Sequence, residues 1–529
     1  MSTRLVATVL VTDIASVADT LKHPMDGVDY IELRLDALAE PSPKTVQAIL
    51  DLPRTAPVIA TCRTTGQGGL FTDEEPKRLA LLSAAAKAGA DLVDIEDSSL
   101  ADLPGDLPGG RIASCHLSRF VPRLDALARR LVGRGTTFSK LCVPADTPKQ
   151  LSTLMEIQDT FGEQLAVVPT GRLAEAGRVM AAARGSPLSY GAAHADAPGH
   201  QDQPTADRLY HVHNVTSLPP DTRFYGVVGR PVAHSMSPTY HNTVFRGVAQ
   251  SARLVPMDID SLESVMKFAD TLRLEGFAVT HPFKQEAIEV AHSVLPGARG
   301  TSAGNTLVHT PAGWQTRNTD WKAACDLFPR LLDAWLKGRR ANASPSNWIN
   351  DVIAGCWRPG GGSRTKRTEE DPVPKVLLLG AGGAARALAV ALFEESVELA
   401  VWSRRLSHAR ELAARLSDSI PAVAIPEPSH IPADVVVNAT PVGMPGIDPG
   451  ELNPFGASNF REGAVALDLT YGQTQSPFRE AARAAGVPLL TGEFFFGLQA
   501  RRQAEVFTGA TVPTELRKQA AIQCGAVVE

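Results

Sequence analysis

Short apolar runs recur through the first 216 residues, at 5–11, 30–35, 57–62, 92–95, 111–115, 138–143, 165–168 and 188–192. Segments with helical spacing of apolar residues separate most of them, at 76–88, 121–131, 147–159, 173–183 and 205–213. Strands alternating with helices predict a parallel sheet, and eight such units in this length predict a closed (β/α)8 TIM barrel. The stretch 98–110, rich in Gly and Pro, stands where one helix of that pattern belongs.

The two prolines of SLPPDT, 217–222, break any helix and mark a boundary. A second apolar pattern is centred on KVLLLGAGGAARALAVALFEESVELAVWSRR, 375–405. A buried strand runs into Gly380-Ala381-Gly382-Gly383-Ala384-Ala385, a helix-length segment follows, and a second strand ends on Ser403, Arg404 and Arg405. Strand, glycine turn and helix in that order give a pyrophosphate free N–H groups at a helix start. The second strand closes on no Asp or Glu that could read a ribose 2'-hydroxyl. Ser403, Arg404 and Arg405 suit a 2'-phosphate instead, so the expected cofactor is NADP rather than NAD. The alternative is a pair of solvated arginines at a strand end.

Composition sets the outer limits. A chain of 529 residues exceeds one hydrophobic core, so two or three domains are expected. With 44% hydrophobic and 21% charged residues it has the make-up of an ordinary globular protein, and a net charge of -5 gives no reason to expect a nucleic-acid partner. The six cysteines lack CxxC spacing, which points to a reducing compartment and no metal site. The N-terminal apolar run is seven residues long and Asp13 follows it closely, so neither a signal peptide nor a membrane span is expected and the cytoplasm is the default.

A barrel places its chemistry at the carboxyl ends of its strands. Glu32 and Arg34 lie on the second run, Arg63 after the third, Glu96 after the fourth, His116 after the fifth and Arg178 beyond the seventh. Lys140 sits inside the sixth, FSKLCVP, where a buried lysine is costly unless it faces a functional cavity. Nearby arginines and desolvation are expected to lower its pKa to the free amine that Schiff-base chemistry uses, with His116 as acid or base. Taken singly, each of these residues also fits a surface position. In the second half, Ser235 and Ser237 stand at a helix mouth suited to a carboxylate, though Ser237 also reads as an N-cap. Lys284, in GFAVTHPFK, and Asp320, in NTD, are expected in facing loops, as a proton donor and its partner or as a surface salt bridge.

These segments carry two resemblances. IELRLD, TCRTTGQGG, DLVDIED, SCH, FSKLCVP and ADAPGH resemble, in order, type I 3-dehydroquinate dehydratase over nearly all of 1–216. The resemblance implies that Lys140 forms an imine with the substrate ketone and His116 moves the proton. It also implies that Glu32, Arg34, Arg63 and Arg178 hold the hydroxyls and carboxylate. The chain departs from the pattern at Gln67 (a glutamate in the family), at Leu117, in a shorter interval from Asp94 to His116, and at Asp196 and His200, where Ser and Gln are usual; Gln201 is adjacent.

GRPVAHSMSP, GFAVTHPFK, SAGNTLV, NTD, GAGGAARA, SRR, VVNATPVGM, LDLTYG and GEFFFGLQA resemble shikimate dehydrogenase over nearly all of 224–509. That implies Lys284 and Asp320 as the catalytic pair, and Ser235, Ser237, Thr280, Asn305, Tyr471 and Gln499 around the substrate. It implies Gly380, Gly382, Gly383, Ala384, Ser403, Arg404, Arg405 and Thr440 around NADP. Ala278 replaces an Asn or Ser, and Ser403 an Asn.

The expected architecture is a barrel at 1–216, a substrate-binding domain at 223–326, an insertion at 327–372, a Rossmann domain at 373–490 and returning helices at 491–529. The insertion includes ANASPSNW and RPGGGSRTKRTEEDPVP, and the second piece, rich in Gly, Pro and charge, reads as a surface excursion. The fused halves would catalyse consecutive steps on small molecules, through 3-dehydroquinate, 3-dehydroshikimate and shikimate. Two alternatives stand beside this: a C-terminal half preferring quinate, and a non-catalytic barrel.

Overall fold

The computed structural model describes residues 2–196, 199, 202–358, 368–393, 395–428, 431–444, 455–472 and 476–527. The chain forms two compact units, one of residues 1–233 and 251–275, the other of 234–250 and 276–529.

In the first unit β1 (Arg4–Leu10), β2 (Val28–Arg34), β3 (Val58–Thr61), β4 (Leu92–Glu96), β5 (Gly110–His116), β6 (Phe138–Pro144), β7 (Ala166–Thr170) and β8 (Leu188–Ala192) pair in parallel in the order β7-β6-β5-β4-β3-β2-β1-β8. Strands β3, β4 and β8 are buried at every residue, because helices cover one face and the lumen the other; this is why they read as unbroken apolar runs. Among the described residues no ladder joins β7 to β8. There the buried Arg178 donates from Nε to the Pro169 carbonyl (3.1 Å) and from Nη1 to the Tyr190 carbonyl, so one side chain spans the seam. At 98–110 a 3-10 turn, Asp97–Asp102, replaces the missing helix. The segment 205–213 is a short π-helical turn, Arg208–Val212, rather than a regular helix. The same unit holds β9 (Arg223–Gly229) and β10 (Ala252–Asp258), paired in parallel.

The second unit holds the helix Ser237–Gly247, most of β11 (Leu274–Val279), β12 (Ser293–Val294), β13 (Thr306–Thr310) and β14 (Gly313–Arg317). Here β13 runs antiparallel to both β11 and β14, and β12 lies parallel to β14. A separate parallel sheet follows from β15 (Lys375–Leu379), β16 (Glu398–Trp402), β17 (Ala422–Ala424), β18 (Ala433–Asn438), β19 (Phe460–Asp468) and β20 (Leu489–Leu490), in the order β17-β16-β15-β18-β19-β20. The order reverses between β15 and β18, the switch point at which such sheets bind ligands.

The part of the insertion before residue 358 is helical and packed. A helix of 23 residues, Thr319–Ala341, leads to a second helix, Ile349–Trp357, which buries Ile349, Val352, Ile353, Cys356 and Trp357 in the core. Those five positions follow the i, i+3, i+4, i+7, i+8 spacing of one helix face. The Gly-rich residues 359–367 of RPGGGSRTKRTEEDPVP lie outside the described residues.

Candidate functional sites

In the barrel, Lys140 is 1% exposed, and its Nζ donates to Asp94 Oδ2 (2.5 Å) and Glu32 Oε1 (3.4 Å). Glu32 is fixed by the hydroxyls of Thr8 (2.8 Å) and Thr61 (2.9 Å). The expected lowering of the lysine pKa is reversed. Burial alone would push the ammonium down, but Asp94 above all, with Tyr190 and Glu32, holds it above the ordinary lysine value. Burial raises Glu32 in turn, yet Lys140, Arg63 and Arg34 outweigh it and bring the carboxyl down to about 2. The resting lysine is therefore an ammonium locked between carboxylates. The sequence reading weighed the arginines and missed Asp94. Its signal lay in DLVDIED: Asp94 and Glu96 alternate on one face of a strand whose neighbours supply the other lumen groups.

The three arginines differ. Arg34 grips Asp36 with two hydrogen bonds (2.9 and 2.7 Å) and reaches the Gly199 carbonyl (3.3 Å), while Asp36 also accepts the Leu70 N–H (3.0 Å). Arg34 thus fastens two loops over the barrel mouth. Arg63 has a buried Nε with no partner among the described residues. Burial pushes the Arg178 guanidinium down to about 10, and the charge of Arg63 adds to the effect. Arg63, with that unpartnered nitrogen, beside the desolvated Arg178, whose Nε and Nη1 are held by carbonyls, can receive an anion. Glu96 accepts the N–H and hydroxyl of Thr64 (2.8 and 2.9 Å). His116 ends β5 at 8% exposure, and its main-chain N–H donates to Gln67 Oε1 (2.7 Å). Asp196 is exposed on a turn, and His200 and Gln201 lie outside the described residues.

In the second unit, Lys284 Nζ donates to Asp320 Oδ2 at 2.6 Å. Asp320 is not in a loop: it lies in the first turn of the helix Thr319–Ala341, whose cap is the Asn318 side chain accepting from the Trp321 N–H. Asn305 Nδ2 donates to Asp320 Oδ1 (2.9 Å) and Gln499 Oε1 (3.4 Å), and its Oδ1 accepts the Thr319 N–H (2.7 Å). Lys284, Asp320, Asn305 and Gln499 form one net. Tyr471 is half-buried, its phenol raised by burial and by the charge of Asp320. Thr280 is half-buried directly after β11, and Ala278, within β11, pairs with Thr306. Ser237 is the first helical residue rather than the cap, and Ser235 Oγ accepts its N–H (3.2 Å). Sequence reading missed Gln503, which donates to the Asn305 carbonyl (3.0 Å) and to Thr306 Oγ1 (2.8 Å) and so supports the net from behind.

The glycine turn fits a dinucleotide. Gly380 has φ +120°, and a Cβ there would come within 2.7 Å of the Ala439 carbonyl oxygen. A Cβ on Gly382 would meet nothing within 4 Å, so the turn is open on its outer side, and the helix Gly383–Ala391 starts next with Ala384 half-buried. A Cβ on Gly383 would stand 3.2 Å from Lys284 Cδ, so the lysine stem runs directly beside this turn. Ser403 is half-buried and Arg404 and Arg405 are exposed just past β16, with no ion pair on either arginine among the described residues. The Thr440 N–H and hydroxyl both donate to Asn438 Oδ1 (3.0 and 2.7 Å), and Asn438 is anchored on Asp468 (2.9 Å). Among the described residues no group of three side chains is placed to hold a metal.

Fold and geometry define the class: a (β/α)8 barrel with a lysine sealed in its lumen, joined to a dinucleotide-binding oxidoreductase fold. Residues 5–217 match the family model of type I 3-dehydroquinase, and residues 227–307 that of the shikimate dehydrogenase substrate binding domain. The chain is similar to a bifunctional 3-dehydroquinate dehydratase/shikimate dehydrogenase, chloroplastic, of Arabidopsis thaliana, with 27% identity over 513 residues, covering 94% of this chain and 81% of the relative. It is also similar to a shikimate dehydrogenase (NADP(+)) of Anaeromyxobacter sp. (strain K), with 36% identity over 301 residues, covering 55% of this chain and 93% of the relative. Among solved structures it is similar to the dehydroquinate dehydratase and shikimate dehydrogenase from S. pombe AroM, at 20% identity and a TM-score of 0.41, covering 98% of each chain. A Thermus thermophilus shikimate 5-dehydrogenase in complex with NADP(H) and shikimate matches at 26% identity and a TM-score of 0.43, covering 57% of this chain and 100% of that one. The chain belongs to the shikimate dehydrogenase family, joined in one polypeptide to a type I 3-dehydroquinase domain.

Proposed function

We propose that the chain catalyses two consecutive reactions: dehydration of 3-dehydroquinate to 3-dehydroshikimate in the barrel, then NADPH-dependent reduction of 3-dehydroshikimate to shikimate in the second unit. The observation that carries this reading is a pair of lysine–carboxylate contacts, Lys140 to Asp94 at 2.5 Å in the lumen and Lys284 to Asp320 at 2.6 Å beside the glycine turn.

In the barrel, the Lys140 ammonium passes a proton to Asp94 and the free amine attacks the substrate ketone. Loss of water gives an iminium, which acidifies the neighbouring C–H. His116 removes that proton and returns one to the departing hydroxyl, and hydrolysis then frees the lysine. Arg63 and Arg178 receive the carboxylate, Glu32 orients the lysine and a substrate hydroxyl, and Arg34 holds the loops above them.

In the second unit NADPH, when bound, supplies the hydride. Lys284 donates a proton to the ketone oxygen, and Asp320 holds Nζ at the reacting carbon. Ser235, Ser237, Thr280, Asn305, Tyr471 and Gln499 bind the substrate. The Ser237 hydroxyl, not spent on capping, is available to a carboxylate, and Ser235 and Ser237 together favour the smaller pocket of shikimate over quinate, which carries one more hydroxyl. Gly380, Gly382, Gly383, Ala384 and Thr440 receive the pyrophosphate side, and Ser403, Arg404 and Arg405 the 2'-phosphate.

The domain limits read from the sequence, 1–216, 223–326, 327–372, 373–490 and 491–529, are proposed on the same footing. Among the described residues no helix is long and apolar enough to cross a membrane. None of the six cysteines forms a disulfide among the described residues, which supports a reducing compartment, for which we propose the cytoplasm; cell fractionation tests it.

Borohydride with 3-dehydroquinate should trap a covalent adduct on the wild type and none on Lys140→Ala. With NADPH present, 3-dehydroquinate should be converted to shikimate. Lys284→Ala should abolish the second step while NADPH affinity persists. Full dehydratase turnover in Lys140→Ala, or equal loss of NADPH binding in Lys284→Ala, would overturn the assignments.

A further inference from the structure

The Schiff-base reading leaves Tyr190, a buried titratable group of the lumen, without a task. Tyr190, on β8, is 3% exposed, and its ring centre lies 4.2 Å from Lys140 Nζ. Its carbonyl is held by Arg178, and its hydroxyl is buried with no hydrogen-bond partner among the described residues. Buried phenols ordinarily find a partner. The apolar residues clustered with it, Val6, Ile59, Leu92, Ile112 and Val168, offer no partner, and the polar groups that act on its charge, Lys140, Glu32, Asp94 and the Cys142 thiol, make no hydrogen bond to its hydroxyl among the described residues. A molecule of the reaction or a water can take that place.

Two features join here. A cation over an aromatic face is held by the ring quadrupole, most strongly where water is excluded. A nitrogen above the ring centre also stands roughly 5 Å from that ring's hydroxyl, a span that one bridging water covers. Condensation joins Lys140 Nζ to the ketone carbon, breaks the C–O bond and releases one water, leaving an iminium after a proton is taken up. Hydrolysis runs the same atoms in reverse and consumes one water. The dehydration step releases another.

We propose that Tyr190 works in the dehydratase reaction at two points: its ring face steadies the cationic nitrogen of Lys140, and its hydroxyl holds the water that imine formation releases and imine hydrolysis consumes. This rests on the Schiff-base reading of the barrel. A residue that only filled space would need neither the hydroxyl nor the position under Nζ.

Two variants separate the roles. Tyr190→Phe keeps the ring and removes the hydroxyl. Hydrolysis should slow, so kcat for dehydration should fall about tenfold, as loss of one hydrogen bond predicts, while the fraction of enzyme trapped by borohydride during steady-state turnover rises. Tyr190→Leu also removes the ring face, and the rate of trapping itself should fall by about thirtyfold relative to wild type. Dehydrogenase turnover on 3-dehydroshikimate, measured on the same full-length chains, should be unchanged and reports that they are folded. Tyr190→Phe equal to wild type in kcat and trapped fraction overturns the hydroxyl's role. Tyr190→Leu trapping at the wild-type rate overturns the ring's. A wild type that traps no adduct would instead sink the Schiff-base reading beneath both.

Discussion

His241 gives the second unit a specific acid sensitivity. It lies in the helix Ser237–Gly247 at 0% exposure, with Nε2 3.0 Å from Gln503 Oε1. The Gln503 amide nitrogen donates to the Asn305 carbonyl and to Thr306 Oγ1, so its oxygen must face the histidine and the imidazole proton sits on Nε2. Nδ1 is buried without a partner among the described residues, and the ring centres of Tyr240 and Phe507 lie 5.4 and 5.2 Å from that of the imidazole. A second proton would have to sit on Nδ1 in that apolar wall. Burial therefore pushes the His241 pKa down to about 3, with the Gln503 hydrogen bond only partly opposing it. The folded state keeps His241 neutral while the unfolded chain protonates it below about 6.5. Unfolding takes up a proton in that window, so the contribution is fully present above pH 6.5 and is lost as pH falls toward 3. At about 1.4 kcal/mol per pH unit, the loss between pH 6.5 and 5 is about 2 kcal/mol. All six tryptophans, 314, 321, 335, 348, 357 and 402, lie in the second unit, so their fluorescence during urea unfolding reports that unit alone. His241→Leu should start less stable, because Gln503 loses its partner, but should lack this slope. The gap between the two proteins should close by about 2 kcal/mol on going from pH 7 to pH 5. Parallel profiles would refute the reasoning.

Three further outcomes are expected. Asp94→Asn removes the proton acceptor 2.5 Å from Lys140, and single-turnover borohydride trapping should slow by about a hundredfold or more while dehydrogenase activity persists; an unchanged trapping rate would place the acceptor elsewhere. Trp357→Ala empties a site that is 1% exposed, and urea unfolding should show a loss of about 3–5 kcal/mol in the second unit; a loss below about 1 kcal/mol would mean that the Ile349–Trp357 helix is only a passenger. Arg404→Ala should weaken NADPH by at least about tenfold and leave NADH nearly unchanged, in fluorescence titrations of each; equal weakening would remove the 2'-phosphate from its role.

The eight barrel strands were legible because a parallel sheet buried on both faces must be apolar at nearly every position. The seam between β7 and β8 was not, since Arg178 closes it from a helix, and nothing in the spacing of one arginine says that two carbonyls will take its donors. Lys140 was legible as a buried lysine, and its expected low pKa is reversed. FSKLCVP announces a buried lysine but cannot show that Asp94, on a strand two places away in the sheet, shares its layer. The helix Ile349–Trp357 was legible in principle from its apolar spacing, and the Gly/Pro-rich piece beside it drew attention away. Gln503 was invisible, because its contacts depend on which face of the helix Gly492–Thr508 meets β13.

Both proposed reactions begin at a ketone and both sites hold a lysine against an aspartate, yet the environments fit opposite tasks in that proposal. Lys140 is 1% exposed and meets two carboxylates, Asp94 and Glu32, so one can take its proton while the other still balances the cationic iminium that follows. That arrangement suits a nitrogen that must become a nucleophile and then carry a positive charge through a covalent intermediate. Lys284 is 20% exposed and meets one carboxylate. Solvent can reload its proton after each turnover, and the Asn305 amide occupies the second oxygen of Asp320, so that carboxylate orients the ammonium without competing for its proton. Moving Lys140 into a half-open site would let water hydrolyse its iminium before elimination, and sealing Lys284 behind a second carboxylate would slow its recharging. The number of carboxylates and the degree of closure around each nitrogen, more than the presence of lysine, separate the covalent step from the proton-transfer step.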